Sequence, residues 1–427
     1  MENFDLAEQL YQDMKESEET IILTDQSDSW PSPPDGMAYQ GLAGQIVKTI
    51  EPHTESDPVA ILIQTLAAFG NVIGPKPHFK VEADYHPMRI NAVIVGDTAK
   101  GRKGTSEGIV TRLFEVVDEE WAQDQIRSGL SSGEGLIYHV RDIGATGKDD
   151  PGVTDKRLWV KESEFASVLK NASRDGNILS PVIRQAWDTG NLATLTKHNP
   201  VKATGSHITI TGHITQDELK RYLSQTEVFN GLANRFIWLC VRRSKLLPEG
   251  GMIHEMDLSP LTDQIRNAVE FTKTVDEIKR NLRAREIWKN VYPQLSEAKP
   301  GLIGAVLSRS EAQVMRLACV YALMDCSKVV QEDHLYAALA LWDYAEASIC
   351  YIFKGKTGND IADRIYEAVK KSDAGLRRTD IANLFDRNKS KEQINEAIEL
   401  LRKHKSVNIS KEETGGRPSE RITSSTK

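Results

Sequence analysis

Apolar residues along this chain fall into three successive regimes of spacing. Before residue 75, GLAGQIVKTIEPHT and DPVAILIQTLAAFGNVIG repeat apolar positions at helical intervals. Asp57-Pro58 supplies an N-cap followed by proline at the first helical position. Apolar residues then gather in five short dense runs, at 89–95, 124–129, 157–162, 206–212 and 235–242, with helical stretches between most of them. That alternation predicts an α/β core with a mostly parallel sheet covered on both faces. From about 255 to 352 the pattern is helical throughout: SRSEAQVMRLACVYALMD and EDHLYAALALWDYAEASICYIF carry apolar residues every three or four positions.

Past the polar stretch FKGKTGND, the segments ADRIYEAVKK, RTDIANLF and KEQINEAIELLRKH predict three short helices. SVNISKEETGGRPSERIT predicts a two-stranded hairpin with Gly415-Gly416 at its tip. Three helices and a glycine-tipped hairpin predict a C-terminal winged helix-turn-helix over 358–424. The expected organisation is an acidic leader and proline-rich linker (1–35), a nucleotide-binding core with N-terminal helices (36–250), a helical segment (251–353) and the winged helix.

Composition narrows the class. The chain is 427 residues long, 40% hydrophobic and 27% charged, which is ordinary for a globular protein. No apolar run approaches the roughly 18–20 residues of a membrane span. The acidic start, MENFDLAEQLYQDMKESEE, has neither the basic nor the apolar region of a secretory signal, so the expected location is cytoplasmic. Cys240, Cys319, Cys326 and Cys350 sit in apolar runs without a CxxC pair, which points to reduced thiols and away from zinc or a disulfide frame. The net charge of −7 is unevenly spread: residues 1–60 hold thirteen acids against Lys15 and Lys48, while residues 370–427 hold fourteen Lys/Arg against nine Asp/Glu. The C-terminal segment is the basic end.

Candidate chemistry begins at VGDTAKGRKGTS, residues 95–106, wedged between an apolar run and a helix-like run. A phosphate loop of the form G-x-x-x-x-G-K-[ST] uses small residues to converge backbone N–H groups on phosphates, a lysine to neutralise them, and a hydroxyl for Mg²⁺. Gly96 and Gly101 satisfy the first half, but Arg102 and Lys103 follow where Lys and Thr belong, with Gly104, Thr105 and Ser106 behind. The competing reading is a glycine-rich surface turn. The strand-to-helix setting favours a nucleotide loop of Gly96, Thr98, Gly101, Arg102, Lys103, Gly104, Thr105 and Ser106. In it Lys103 meets phosphate and Thr105 the metal, with Ser106 as substitute.

ATP hydrolysis also needs a carboxylate at a neighbouring strand end and a group to orient water. RLWVKESEF offers Glu162 and Glu164, placed on one side by period-two geometry with Lys161 facing away, and Glu162 is the second metal candidate. Glu134 in SGLSSGEGLIYHV is another catalytic candidate, although Ser131-Ser132-x-Glu134 also fits helix N-capping. His213 at the end of SHITITGHIT is a candidate γ-phosphate sensor, against a structural hydrogen-bonding role. Arg235, Arg242 and Arg243 are candidate fingers toward a neighbouring subunit's nucleotide, Arg235 foremost, against ordinary surface cations. Arg309 and Arg316 are lesser candidates acting from a lid. The long connection RQAWDTGNLATLTKHNPVK bears Lys197, His198 and Lys202 and is a candidate single-stranded DNA contact. Lys389 and Lys391 at the start of the second winged-helix helix, and Arg417 in the wing, are candidate duplex contacts, though winged helices also dock proteins.

Taken in order, GLAGQIVKTIEPHTESDP, VGDTAKGRKGTS, SGLSSGEGLI, WVKESEFASVL, GHITQDEL, NGLANRF and TGGRPSE resemble a family of phage, plasmid and integrated-element proteins over residues 36–424. Its members are RecA-like P-loop ATPases, often beside or fused to primase–polymerase domains and thought to act as replicative helicases. The resemblance implies that GRKGTS is a phosphate-loop variant, that ATP and Mg²⁺ are cofactors, that DNA is the substrate, and that a primase and further copies of the chain in a ring are partners. Two functions follow as alternatives. One is a DNA-dependent ATPase motor; the other is a non-catalytic DNA-binding initiator or regulator with a nucleotide-dependent switch. A small-molecule phosphotransferase leaves the winged tail unexplained.

Overall fold

The computed structural model describes residues 30–97, 102–196, 200–299, 301–354, 357, 359–403, 406–412 and 419–425. The leader up to residue 29 lies outside them. One compact unit is Pro31–Phe353, and another takes in Lys354–Lys427.

The larger unit opens with α1 (Gly41–Ile50) and α2 (Pro58–Val72), the second capped by the Asp57 carboxylate on Val59 N at 3.0 Å, with Pro58 at its first position. After a hairpin of β1 (His78–Val81) and β2 (Asp84–Pro87), each of the five apolar runs supplies one strand. These are β3 (Ala92–Val95), followed by α3 (Lys103–Val117) and α4 (Glu119–Gln125); β4 (Ile126–Arg127), followed by α5 (Gly133–Tyr138); and β5 (Arg157–Glu162), followed by α6 (Phe165–Ala172) and α7 (Leu179–Asp188). A short hairpin, β6 (Leu192–Ala193) with β7 (Lys202–Ala203), leads into β8 (His207–Ile214), followed by α8 (Gln216–Tyr222) and α9 (Gln225–Phe229), and β9 (Ile237–Cys240) is the last.

The sheet order is β4-β5-β8-β3-β9, and every neighbouring pair is parallel. From β3 the chain travels to the β4 edge, whereas from β8 it passes β3 in the opposite direction to reach β9. The carboxyl ends of β3 and β8 therefore flank a topological switch point, the place where open α/β sheets hold ligands. Both strands are buried over their whole lengths. The core is thus a mixed α/β layer structure with a five-stranded parallel sheet.

Helix α2 is buried along nearly its full length, which is why its sequence is apolar on all sides. Asn71, one of its few polar residues, donates to Leu158 O and His207 O at 3.0 Å each and accepts from Trp121 Nε1 at 3.0 Å. One amide side chain thereby joins α2, β5, β8 and α4. Trp121 stacks on Trp159 with ring centroids 6.0 Å apart.

The carboxyl end of α7 is held by arginines. Arg89 donates to Trp187 O and Thr189 O, both at 3.3 Å, and to Ser206 O at 3.0 Å; Arg316 donates to Trp187 O at 3.1 Å and lies 3.6 Å over the Trp187 ring. Cations at this end satisfy the last carbonyls and oppose the helix dipole. Arg316 is fully buried in this role, which removes it as a mobile lid cation.

The segment expected to be helical throughout contains α10 (Ser259–Thr272), α11 (Leu282–Leu295), α12 (Gly301–Leu307), α13 (Ser310–Met324) and α14 (Glu332–Ile352). It also contains a two-residue parallel pair, β10 (Lys279–Arg280) with β11 (Val329–Val330). Neither this pair nor the β1–β2 hairpin was expected, because such short and partly charged strands leave no alternating pattern to detect.

In the second unit, α15 (Asp360–Lys370), β12 (Leu376–Arg377), α16 (Arg378–Leu384) and α17 (Lys391–Lys403) precede β13 (Val407–Glu412) and β14 (Ser419–Ser424). The three strands form an antiparallel sheet, β12-β14-β13. Ala362, Ile365, Val369, Ile381, Ile398, Leu401 and Ile422 make a core of its own. The expected hairpin tip, with Gly415, Gly416 and Arg417, lies outside the described residues. Among the described residues no helix is long and apolar enough to cross a membrane.

Candidate phosphate-binding site

Past β3, Gly96 N donates to Ile214 O at 3.1 Å, fastening the start of the loop to the end of β8. A β-carbon on Gly96 would meet Val241 O at 2.5 Å, so the chain leaving β9 requires glycine there. Thr98 and Gly101 lie outside the described residues. Arg102 has φ +51°, the left-handed region that favours glycine. The residue just before Lys103 thus has a glycine-like backbone while bearing a cation. Its Nε lies 2.5 Å from Glu55 Oε2, so the side chain is engaged with the loop before α2.

Helix α3 starts at Lys103 itself. The Lys103 ammonium donates to Gly96 O at 2.8 Å, Asp97 O at 3.0 Å and Ile214 O at 3.1 Å, and so lies between the carboxyl ends of β3 and β8. Burial lowers its pKa, while Glu218, Asp97 and Glu164 oppose that shift. The cation therefore sits at the switch point beside three carboxylates, its three donors spent on main-chain oxygens.

The residues around Lys103 fit a polyphosphate with Mg²⁺. A β-carbon on Gly104 would meet nothing within 4 Å, so the backbone at the first turn of α3 is open to a close ligand. Thr105 is exposed, whereas Ser106 is buried, donating to Lys103 O at 2.8 Å and accepting from Gln64 Nε2 at 3.1 Å. Ser106 is therefore spent inward, and Thr105 is the hydroxyl presented outward. Among the described residues no group of three or more His, Cys, Asp or Glu side chains makes a ready metal site. Mg²⁺ bound with a nucleotide takes most of its ligands from phosphate and water, needing one or two from protein.

The two strand-end glutamates part company. Glu162 ends β5 opposite Gly212 of β8, is buried, and accepts from Leu130 N at 2.6 Å. Its carboxylate ties down the loop before α5 through Oε1. Glu164 stands at the N-terminus of α6, exposed and within electrostatic reach of Lys103. The strand stops at Glu162 and a turn follows, so period-two geometry no longer relates the pair. Lys161 turns to α3, donating to Thr111 Oγ1 at 2.9 Å.

Glu134 is exposed in the first turn of α5, whose cap is Ser132 accepting from Gly135 N at 3.1 Å. His213 is buried, its Nε2 3.4 Å from Gln64 Nε2 and 3.6 Å from Glu107 Oε2. Burial first, then Lys103 and Lys161, push its pKa down to about 4. Arg235 is buried and donates to Asp188 Oδ2 at 2.7 Å, Gly231 O at 2.8 Å and Asn234 Oδ1 at 2.9 Å. These bonds hold its guanidinium beside α7 within its own chain. Arg243 lies 3.8 Å from Glu55, and Arg242 N donates to Asp57 Oδ2 at 3.0 Å.

Lys202 is exposed on β7, while Lys197 and His198 lie outside the described residues. Lys389 and Lys391 are exposed at the start of α17, where Ser390 caps Gln393 N at 3.2 Å and Gln393 Oε1 accepts from Ser390 N at 3.0 Å. Farther along α17 the residues opposite its buried face are Glu392, Glu396, Glu399 and, at the end, Lys403, all exposed. Sequence reasoning missed Gln64, Glu107, Glu55 and Glu218. Gln64 had a signal: with Asn71, seven residues on, it puts amide side chains on one face of an otherwise apolar helix.

No protein-family model matches the chain, and no curated protein matches it significantly.

Proposed function

We propose that the chain is a RecA-like ATPase that binds ATP with Mg²⁺ beyond the carboxyl ends of β3 and β8 and couples its hydrolysis to DNA. The resemblance in its sequence extends this to a helicase-like motor, cytoplasmic, in replication of a phage, plasmid or integrated element. The observation that carries the reading is the Lys103 ammonium, placed at the switch point by the first residue of α3 and bonded to Gly96, Asp97 and Ile214. A triphosphate offers that cation better acceptors than peptide carbonyls, and the open amides of the first helical turn favour negative charge.

In this reading Lys103 exchanges its carbonyl partners for phosphate oxygens, Thr105 holds the metal, and Glu164 orients the attacking water. Mg²⁺, when bound, neutralises charge on the phosphate oxygens. The three helices and antiparallel sheet of the second unit support a winged helix, with Lys389 and Lys391 toward duplex DNA. The β6–β7 hairpin, with Lys202, is the proposed single-strand contact. A ring and a primase partner rest on the resemblance alone.

A second reading, a nucleotide-dependent switch without turnover, is favoured by the inward engagement of Glu162 on Leu130 N. ATP turnover with and without single-stranded DNA separates the two. A motor gives DNA-stimulated turnover that Lys103→Ala abolishes, and a switch gives tight DNA binding without turnover. Normal hydrolysis by Lys103→Ala removes the assignment of the loop.

A further inference from the structure

Beneath the candidate phosphate loop lies a layer of polar side chains drawn from four elements. Glu107 is one turn after Lys103 on α3, on the same helix face. Its Oε1 lies 3.8 Å from Lys161 Nζ of β5, and its Oε2 lies 3.6 Å from His213 Nε2 of β8. That Oε2 is buried and has no hydrogen-bond partner among the described residues. Gln64 of α2 closes the layer, lying between Ser106 Oγ at 3.1 Å and His213 Nε2 at 3.4 Å. The charge order is the reverse of the one expected from the sequence: the β5 strand end turns a cation to the phosphate helix, and the helix supplies the carboxylate.

We propose that Glu107 is a positioning residue that couples the phosphate helix to the ends of β5 and β8 through Lys161 and His213. A carboxylate oxygen buried without a donor is costly to hold, and here a cation beside Oε1 and an imidazole beside Oε2 bracket the carboxylate. Lys103 is bonded to Ile214 O, next in sequence to His213. When a polyphosphate draws the Lys103 ammonium off that carbonyl, the end of β8 loses one tie to α3, while the Glu107 carboxylate still stands 3.6 Å from His213 Nε2. It thereby sets where His213 and Lys161 stand in the loaded site. The inference rests on the nucleotide reading above and assigns that site residues which the reading does not use.

The test measures affinity for a fluorescent ATP analogue and steady-state turnover for Glu107→Gln, Lys161→Met and the double variant. Glu107→Gln is expected to keep nucleotide affinity within about threefold while turnover falls at least about tenfold, the split of a group that acts after binding. Adding Lys161→Met recovers part of the loss, because the partly buried cation left without its carboxylate is removed with its partner. Lys103→Ala, by contrast, loses affinity itself. Wild-type turnover in Glu107→Gln overturns the proposal, and so does a loss of affinity as complete as that of Lys103→Ala. A wild-type chain that binds no nucleotide sinks the functional reading alone, and the coupling is then decided by the ¹⁵N signals of the His213 ring. These move in Glu107→Gln and Lys161→Met but not in the exposed control Glu120→Gln; unmoved signals in Glu107→Gln overturn the coupling.

Discussion

His207 and His213 lie in β8 with their imidazoles shut away from water. Burial is the first cause in both, and it drives His207 down to about 3 and His213 to about 4. In the unfolded chain both titrate near 6.5. Below that pH the unfolded state takes up protons that the folded state refuses, so the stability present above pH 6.5 is lost as pH falls toward 4. The slope is about 1.4 kcal/mol per pH unit for each histidine. Urea midpoints at pH 7.5 and pH 5 check this, and His207→Asn should flatten the dependence by one proton even though it loses the 2.7 Å bond to Gly70 O. A dependence as steep in the variant as in the parent refutes the account. Lys103 was legible from sequence because a lysine after glycines, between strand and helix, has few structural uses. Glu107 and Gln64 were not, because each acquires its meaning only from partners such as Lys161 and His213 that the sheet brings in from far along the chain.

At the scale of elements, the five strands of the sheet were legible as five dense apolar runs, yet their order was not. Order depends on which helices can cover which strands, and here that is settled by α2, lying against the sheet with polar groups aimed at particular carbonyls. Asn71→Ala removes bonds to Leu158 O, His207 O and Trp121 Nε1 together and leaves buried groups unpaired. A loss of about 2–4 kcal/mol is expected in chemical denaturation, with α4 loosened first by hydrogen exchange. A change under about 0.5 kcal/mol, typical of an exposed site, contradicts the role given to Asn71. The expected pairing of Glu162 with Glu164 failed for a local reason: the strand ends between them, and a two-residue period holds only while the strand continues.

For the whole molecule, charge argues for a divided surface. The basic excess after residue 370 includes Lys389 and Lys391 at the start of α17, but the outward stripe of that helix is mostly acidic, Glu392, Glu396 and Glu399, with Lys403 at its end. Carboxylates facing phosphate oppose deep insertion into a groove, so the proposed duplex contact is assigned to the helix start. Changing the three glutamates to glutamine should strengthen duplex binding, whereas Lys391→Ala should weaken it and lower the salt slope by about one. Glutamine variants that bind less tightly than the parent exclude this face from the interface. Finally, all seven tryptophans precede residue 354, and Trp121, Trp159, Trp187, Trp238 and Trp342 are fully buried. Six of the seven lie in Pro31–Phe353 and Trp30 just precedes it, so indole emission is dominated by that unit, while circular dichroism sums helices from both. If the units melt at different temperatures, the two signals will trace different curves, and a single melting point will have no defined meaning for this chain.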